Sequence, residues 1–259
     1  MLTVVLKSRL GRLVLSWIAT ATLICPIATA KATDIDCLDT ESALEYWRPV
    51  RQQPQTNEVP ADELALVLLP CLGSPNPELR DQIAYELIMT WLRSERLTDK
   101  TREKLLADLS GMMTSDSVFN RSFAALVLSE IMRSDTNRPF MSNEARQNLL
   151  DLAVRSLGHE DDYRGLDADV GWIHPVEHLS DLLWRFTLHP ATTPEQMLTI
   201  LDAVRSKIAP DGIFYTYNES DRLARVVSTV IQKNSIESAD IAAWINGFEK
   251  PRSMEKWSD

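Results

Sequence analysis

The chain has 259 residues, 44% of them apolar, and a formal net charge of −10. That length allows one or two domains with a sizeable core. The composition, with only 8 glycines, excludes a disordered or fibrous chain and argues against β-hairpins, whose tight turns rely on glycine. The negative charge disfavours nucleic acid and anionic lipid as partners, because both bind through cationic surfaces.

Lys7, Arg9 and Arg12 precede an apolar run from Leu13 to Ile24, interrupted only by Ser16, Thr20 and Thr22. Ala28-Thr29-Ala30 follows, with small residues at the two positions a signal peptidase reads. This is the three-part anatomy of a secretory signal peptide, and the run is shorter than the roughly 20 apolar residues of a transmembrane helix. Residues 1–30 are read as a signal peptide cut after Ala30, giving a periplasmic or secreted protein with no membrane attachment after cleavage. Ile24 before Cys25 is too large for a lipoprotein signal. Cleavage removes three basic residues and no acidic ones, taking the net charge from −10 to −13. Such a chain suits a soluble compartment or a cationic partner, metal ions included. Only Cys37 and Cys71 then remain. In an oxidising compartment they can bridge, or they stay unlinked with Cys71 buried as a small apolar residue.

Beyond the leader, apolar residues recur at helical spacing nearly everywhere. Residues 31–59 read as an N-terminal extension with a short helix over Glu41–Arg48, residues 60–250 as a single helical domain, and residues 251–259 as a polar tail. The domain's helices are expected from Pro60 to Leu72 and from Pro77, capped by Asn76, to Arg93. Further helices are expected over Asp99–Met113, Val118–Arg133, Asn143–Leu157, Pro175–Leu188, Pro194–Ile208, Asp221–Gln232 and Ser238–Phe248. Thr193-Pro194-Glu195-Gln196 gives the plainest start signal: a capping Thr, Pro first and Gln third.

A shift of 41 residues superposes Arg80 on Arg121, Ala84 on Ala125, Leu87 on Leu128, Leu68 on Leu109 and Leu72 on Met113. A period near 40 suits two-helix repeats, in which stacking buries the apolar stripe that neither helix can bury alone. The fold class is therefore all-α: stacked antiparallel helix pairs, as a HEAT-like right-handed α-solenoid or a compact helical array. Long connections interrupt the register at residues 158–174 and 210–221 and are expected on the same edge, where such stacks often carry function.

The first of these connections and its helix hold three of the 4 histidines. His174, His178 and Asp181 share one helix face by their i, i+4, i+7 spacing, and two imidazoles with a carboxylate make a reasonable divalent-metal set. The competing reading gives His174 a capping role, His178 a place in the core and Asp181 an ion pair with Arg185. Pro175 stands where the zinc-protease motif H-E-x-x-H has its glutamate. Charged residues inside apolar faces, Glu86, Arg121, Asp221 and Arg222, must be paired, either to fix helix packing or to floor a cleft shared with His178. Trp172, Phe214, Tyr215 and Tyr217 are the aromatics of the two connections and candidates to line a pocket.

Four blocks carry a resemblance: L-G-S-P-N-P-E-L-R-D-Q-I-A-Y-E from Leu72, V-F-N-R-S-F-A-A-L-V-L from Val118, Y-R-G-L-D-A-D-V-G-W-I-H-P-V-E-H-L-S-D-L-L from Tyr163, and D-R-L-A-R from Asp221. From about Asp62 to Ile231 the chain resembles a bacterial family catalogued as domain of unknown function 2785. Gly171, Trp172, His174, His178 and Asp181 make the most specific block. Pro175 and Glu177 depart from the small or apolar residues expected there. The resemblance implies an all-helical fold and no particular activity.

Three functional expectations follow. The first is an exported helical-repeat domain that binds a protein partner or small ligand at the edge formed by the two connections. The second is a metal-dependent hydrolase holding its ion on His174, His178 and Asp181, with Glu160 or Glu86 as general base. The third is a purely structural exported domain.

Overall fold

A computed structural model describes Cys37 and residues 40–55 and 59–248. The leader over residues 1–30, its cut after Ala30 and the polar tail lie outside the described residues. Cys37 and Cys71 form a disulfide with Cα atoms 5.0 Å apart. It ties the chain before the first helix to a short 3₁₀ turn, Leu69–Gly73.

The helices are α1 (Thr40–Gln52), α2 (Ala61–Val67), α3 (Glu86–Arg93), α4 (Asp99–Met112), α5 (Val118–Asn137), α6 (Asn143–His159), α7 (Pro175–Leu188), α8 (Pro194–Ile208), α9 (Glu219–Lys233) and α10 (Ser238–Asn246). Where a start signal is strong, the structure follows it. Pro175 and Pro194 open α7 and α8 as first-turn residues, and Thr193 and Gln196 form a reciprocal capping box. Two regions differ. The helix expected from Pro60 to Leu72 breaks into α2 and the 3₁₀ turn, where Pro70 removes a backbone N–H. The helix expected from Pro77 begins as a π-helix over Glu78–Tyr85 before α3.

Helices α3, α5, α7 and α9 pack side by side as one layer, with α5 against α7 as its broadest contact. Each of α2, α4, α6 and α8 packs against the member of that layer that follows it in the chain. The helix α5 is at the centre, burying Phe123, Ala124, Ala125, Leu128 and Ile131 among others. A smaller apolar cluster of Met197, Leu201, Val230, Ile236 and Trp244 seats α10 at the C-terminal end.

The 41-residue correspondence has a concrete physical form in two like turns. Before the π-helix, Ser74 Oγ accepts the N–H of Asn76, and Asn76 Oδ1 accepts that of Leu79. Before α5, Ser115 Oγ accepts the N–H of Ser117, and Ser117 Oγ that of Asn120. Arg80 donates to the carbonyls of Ser74 and Pro75, and Arg121 to those of Ser115 and Asp116. The two arginines differ in what their remaining donors hold, and that difference builds the site.

Arg80 is fully buried. Its Nε donates to Asp81 at 2.7 Å, and Nη2 donates to the carbonyl oxygens of Val170 and Trp172, both at 2.9 Å. The guanidinium also lies 4.4 Å from the Phe119 ring centre and 4.7 Å from that of Phe123. It thereby clamps a miniature antiparallel hairpin, in which Leu166 pairs with Trp172 and Asp167 with Gly171. This hairpin corrects the expectation drawn from scarce glycine. Asp167 Oδ1 caps its turn by accepting the N–H groups of Asp169 and Val170. Gly171 supplies the one positive φ it needs, +74°, where a Cβ would meet Pro77 at 3.0 Å. Replacing Arg80 with lysine keeps the charge but loses the fork that reaches two carbonyls at once. Urea denaturation of Arg80→Lys should show a loss on the order of 3 kcal/mol, and a loss within the about 0.5 kcal/mol of an ordinary surface change would refute the clamp.

Candidate functional site

The hairpin delivers its second strand into α7 through His174, which adopts a left-handed conformation with φ 49° and ψ 43°. Such a conformation is uncommon outside glycine and costs free energy. The turn leaves the His174 ring buried beside Trp172, with ring centres 4.4 Å apart and edge to face. Its Nδ1 meets the Glu177 carboxylate one helical turn on. Glu177 is itself held by Arg222 Nε from α9 at 3.0 Å. Assigning the ring proton to Nδ1, beside that carboxylate, leaves the lone pair on Nε2. That nitrogen is buried and has no hydrogen-bond partner among the described residues.

His178 lies one turn further, its ring stacked on His174 at 5.9 Å between centres and set edge-on to Phe123. Its Nδ1 is 2.8 Å from Ser122 Oγ. The Ser122 hydroxyl spends its single proton on the carbonyl of Ile173, so towards His178 it can only accept. Nδ1 of His178 is therefore the protonated nitrogen, and Nε2 again bears the lone pair. Burial, then the neighbouring His174, push His178 down to about 3, and burial lowers His174 as well. Both imidazoles are neutral hydrogen-bond acceptors at physiological pH.

These side chains wall a cavity of about 270 Å³ shared with Asp81, Tyr85, Phe123, Leu126 and Asn218. Trp172 lines it as well, and Tyr217 packs edge to face on Trp172 with ring centres 5.8 Å apart; the two are 41% and 37% exposed. Tyr217 comes from the second long connection, and Gly165 in the first gives it room: a Cβ there would sit 2.2 Å from the Tyr217 ring. The two connections thus lie against each other. Tyr163 packs near Tyr215, and Lys207 donates to the carbonyl of Glu160.

The other expected site residues go elsewhere. Asp181 turns away from the imidazoles and accepts two bonds from Arg222 Nη1, at 2.9 and 3.0 Å. Arg185, the partner expected for Asp181, faces Glu130 at 3.5 Å instead. Among the described residues no three His, Cys, Asp or Glu side chains converge to hold a metal ion. The His174/His178/Asp181 ligand set is accordingly not assembled, because the arginines of α9 claim its carboxylate. Glu86 pairs with Arg51 of α1 at 3.0 Å and floors no cleft with His178. Arg121 pairs with Glu160 at 3.0 Å and lines another cavity, of about 430 Å³. These two pairs engage both carboxylates expected as general bases. Asp221 and Phe214 are exposed, and the Tyr215 hydroxyl is spent on the Lys207 carbonyl.

Four polar residues of the cavity were not singled out from the sequence: Asp81, Tyr85, Glu177 and Asn218. Glu177 had a signal, since it stands three residues after His174 on the same helix face. Asp81 and Tyr85 had none: the sequence reads as an ordinary helix there, and the π-helix that carries both appears only in the structure. Burial raises the pKa of both despite the Arg80 pair at Asp81, and with Glu130 nearby it takes Tyr85 to about 12.

Fold and site together define an all-helical domain with a polar, aromatic-rimmed cavity on one helix layer. The family model described as "Protein of unknown function (DUF2785)" matches residues 105–259, and the chain belongs to that family. The match begins later than the resemblance around Arg80 suggested, leaving Arg80, Asp81 and Tyr85 outside it. No curated protein and no solved structure matches the chain.

The neutral histidines make stability depend on pH. An unfolded histidine takes up its proton near 6.5, so between there and the lowered native values the unfolded state binds more protons. The contribution of the neutral histidines should be full above about pH 6.5 and be lost as pH falls, for His178 down to about 3, by up to about 1.4 kcal/mol per unit. Urea melts in stepped buffers read this slope. His178→Asn should flatten it, and an unchanged slope in that variant would show that His178 titrates normally.

Proposed function

We propose that this is an exported domain that binds a small ligand in the cavity under Trp172 and Tyr217. The observation that carries the reading is the pair of neutral imidazoles, His174 and His178, in the wall of this cavity. Their unspent lone pairs favour a ligand offering a hydroxyl or N–H. The exposed Trp172 and Tyr217 rings, set edge to face, add apolar surface nearby. Pockets that combine aromatic walls with a few convergent polar groups are the usual form of small-molecule sites. The positive φ of His174 fits the same reading, since strained backbone concentrates at ligand sites.

Export is supported by the tripartite leader over residues 1–30 and by the disulfide between Cys37 and Cys71, a bond that persists in oxidising compartments. Intact mass of the protein recovered from the periplasm or medium of an expressing bacterium should correspond to a chain starting at Lys31 with both thiols oxidised. A full-length chain retained in the cytosol would contradict this.

Binding is tested with a library of ring-bearing fragments read by saturation-transfer NMR. Wild type should give transfer to a subset of them, and the double variant Trp172→Ala/Tyr217→Ala should lose it while melting within a few degrees of wild type. Equal transfer in the two proteins, or a variant whose only change is lower stability, would leave the cavity a packing feature.

A further inference from the structure

A second hollow of about 320 Å³ adjoins this cavity, with Tyr85, Leu126, Glu177 and His178 lining both. The two follow α7, from His174 at its N-cap through His178 and Asp181 to Arg185, roughly 16 Å along the axis. The two ends of this run have opposite chemistry.

The far end is arginine-rich in an otherwise acidic chain. Arg93, Arg185, Arg222 and Arg225 line it, against Glu130, Glu177 and Asp181. The carboxylates are already committed. Glu130 accepts both forked bonds of Arg93, at 2.7 and 2.8 Å. Asp181 and Glu177 accept those of Arg222. Arg185 and Arg225 are left with contacts of 3.5 and 3.7 Å to these same acids, too long for good hydrogen bonds. Arg185 Nε is buried with no partner among the described residues. Burial, with Arg133 and Arg93 nearby, lowers its pKa against the pull of Glu130. The two guanidiniums are nonetheless held in place: both lie over the Trp184 ring, at 4.6 and 4.9 Å, and Trp184 Nε1 is fixed by Thr229 at 3.1 Å. Two positioned guanidiniums with unspent donors are a receptor for an oxyanion.

We infer that the ligand is an acidic saccharide, whose carboxylate or sulfate is bound by Arg185 and Arg225 while its ring hydroxyls donate to His174 and His178. This rests on the ligand-binding reading above and names the class of molecule. Neutral imidazole lone pairs need donors, which sugar hydroxyls supply. The exposed Trp172 ring, which lines the first cavity, suits the apolar C–H face of a pyranose. From His178 to Arg185 the helix advances about 10 Å, a span that two linked rings cover.

The probes are digalacturonic acid, its neutral methyl ester and a sulfated disaccharide, titrated calorimetrically into the mature chain. The free acid or the sulfated sugar should bind, the ester roughly ten- to hundredfold more weakly, and affinity should fall with added salt. Arg185→Gln/Arg225→Gln should abolish the preference for charge. Should that variant fail to fold, the comparison of acid with ester on wild type decides alone. Equal binding of acid and ester would overturn the anionic end and leave the ligand-binding reading intact. No binding by any of the three would overturn the saccharide class, with the cavity then judged by the fragment experiment. A charge preference retained in the folded arginine variant would place the anion elsewhere and overturn the inference.

Discussion

The buried guanidinium of Arg80 holds together parts of the chain that are some 90 residues apart in sequence. A buried charge is tolerated only where its donors are satisfied. Arg80 meets that demand with the carbonyls of its own capping turn, the carboxylate of Asp81 and two carbonyls of the hairpin before α7. The two hairpin carbonyls belong to residues on either side of Gly171, which has the positive φ and the missing Cβ that let the strand approach Pro77. Everything downstream inherits this placement. The strand exposes Trp172, buries Ile173 and enters α7 through the left-handed His174.

The same layer of helices explains why polar groups gather on its face. Helices α3, α5, α7 and α9 each bury an apolar stripe against the layer beneath, and their remaining faces meet across narrow gaps. Side chains in those gaps lose water and must find one another. The imidazoles respond by staying neutral. The carboxylates of Glu130, Glu177 and Asp181 respond by taking arginines from two other helices, α3 and α9. Acceptor lone pairs remain unspent at one end of the groove and guanidinium donors at the other. An asymmetry of that kind is unfavourable in a merely structural surface and useful in a receptor.

Much of the helical architecture is legible in local signals. Prolines 175 and 194 mark helix starts because a first-turn residue needs no N–H, and the like turns before Arg80 and Arg121 follow from serine and asparagine caps placed 41 residues apart. The hairpin is not legible, because a two-residue ladder has no alternation to detect and depends on Arg80 for its hold. The imidazole pair is legible from its four-residue spacing. The fate of Asp181 is not, since its spacing to His178 is as suitable for a metal as for an ion pair. The choice falls to Arg222, which arrives from a helix 41 residues later.

By itself, the sequence determined the all-helical class, the positions of most helix ends and the closeness of His174 and His178. These follow from periodicity, capping and composition, which act over a few residues and leave their mark in the order of the letters. Only the tertiary structure decided which partner each charge takes, that Glu86 and Arg121 serve other contacts, and that the two long connections lie against each other. Those outcomes are settled by competition for desolvated partners between distant helices, and such competition is resolved only once the helices have packed.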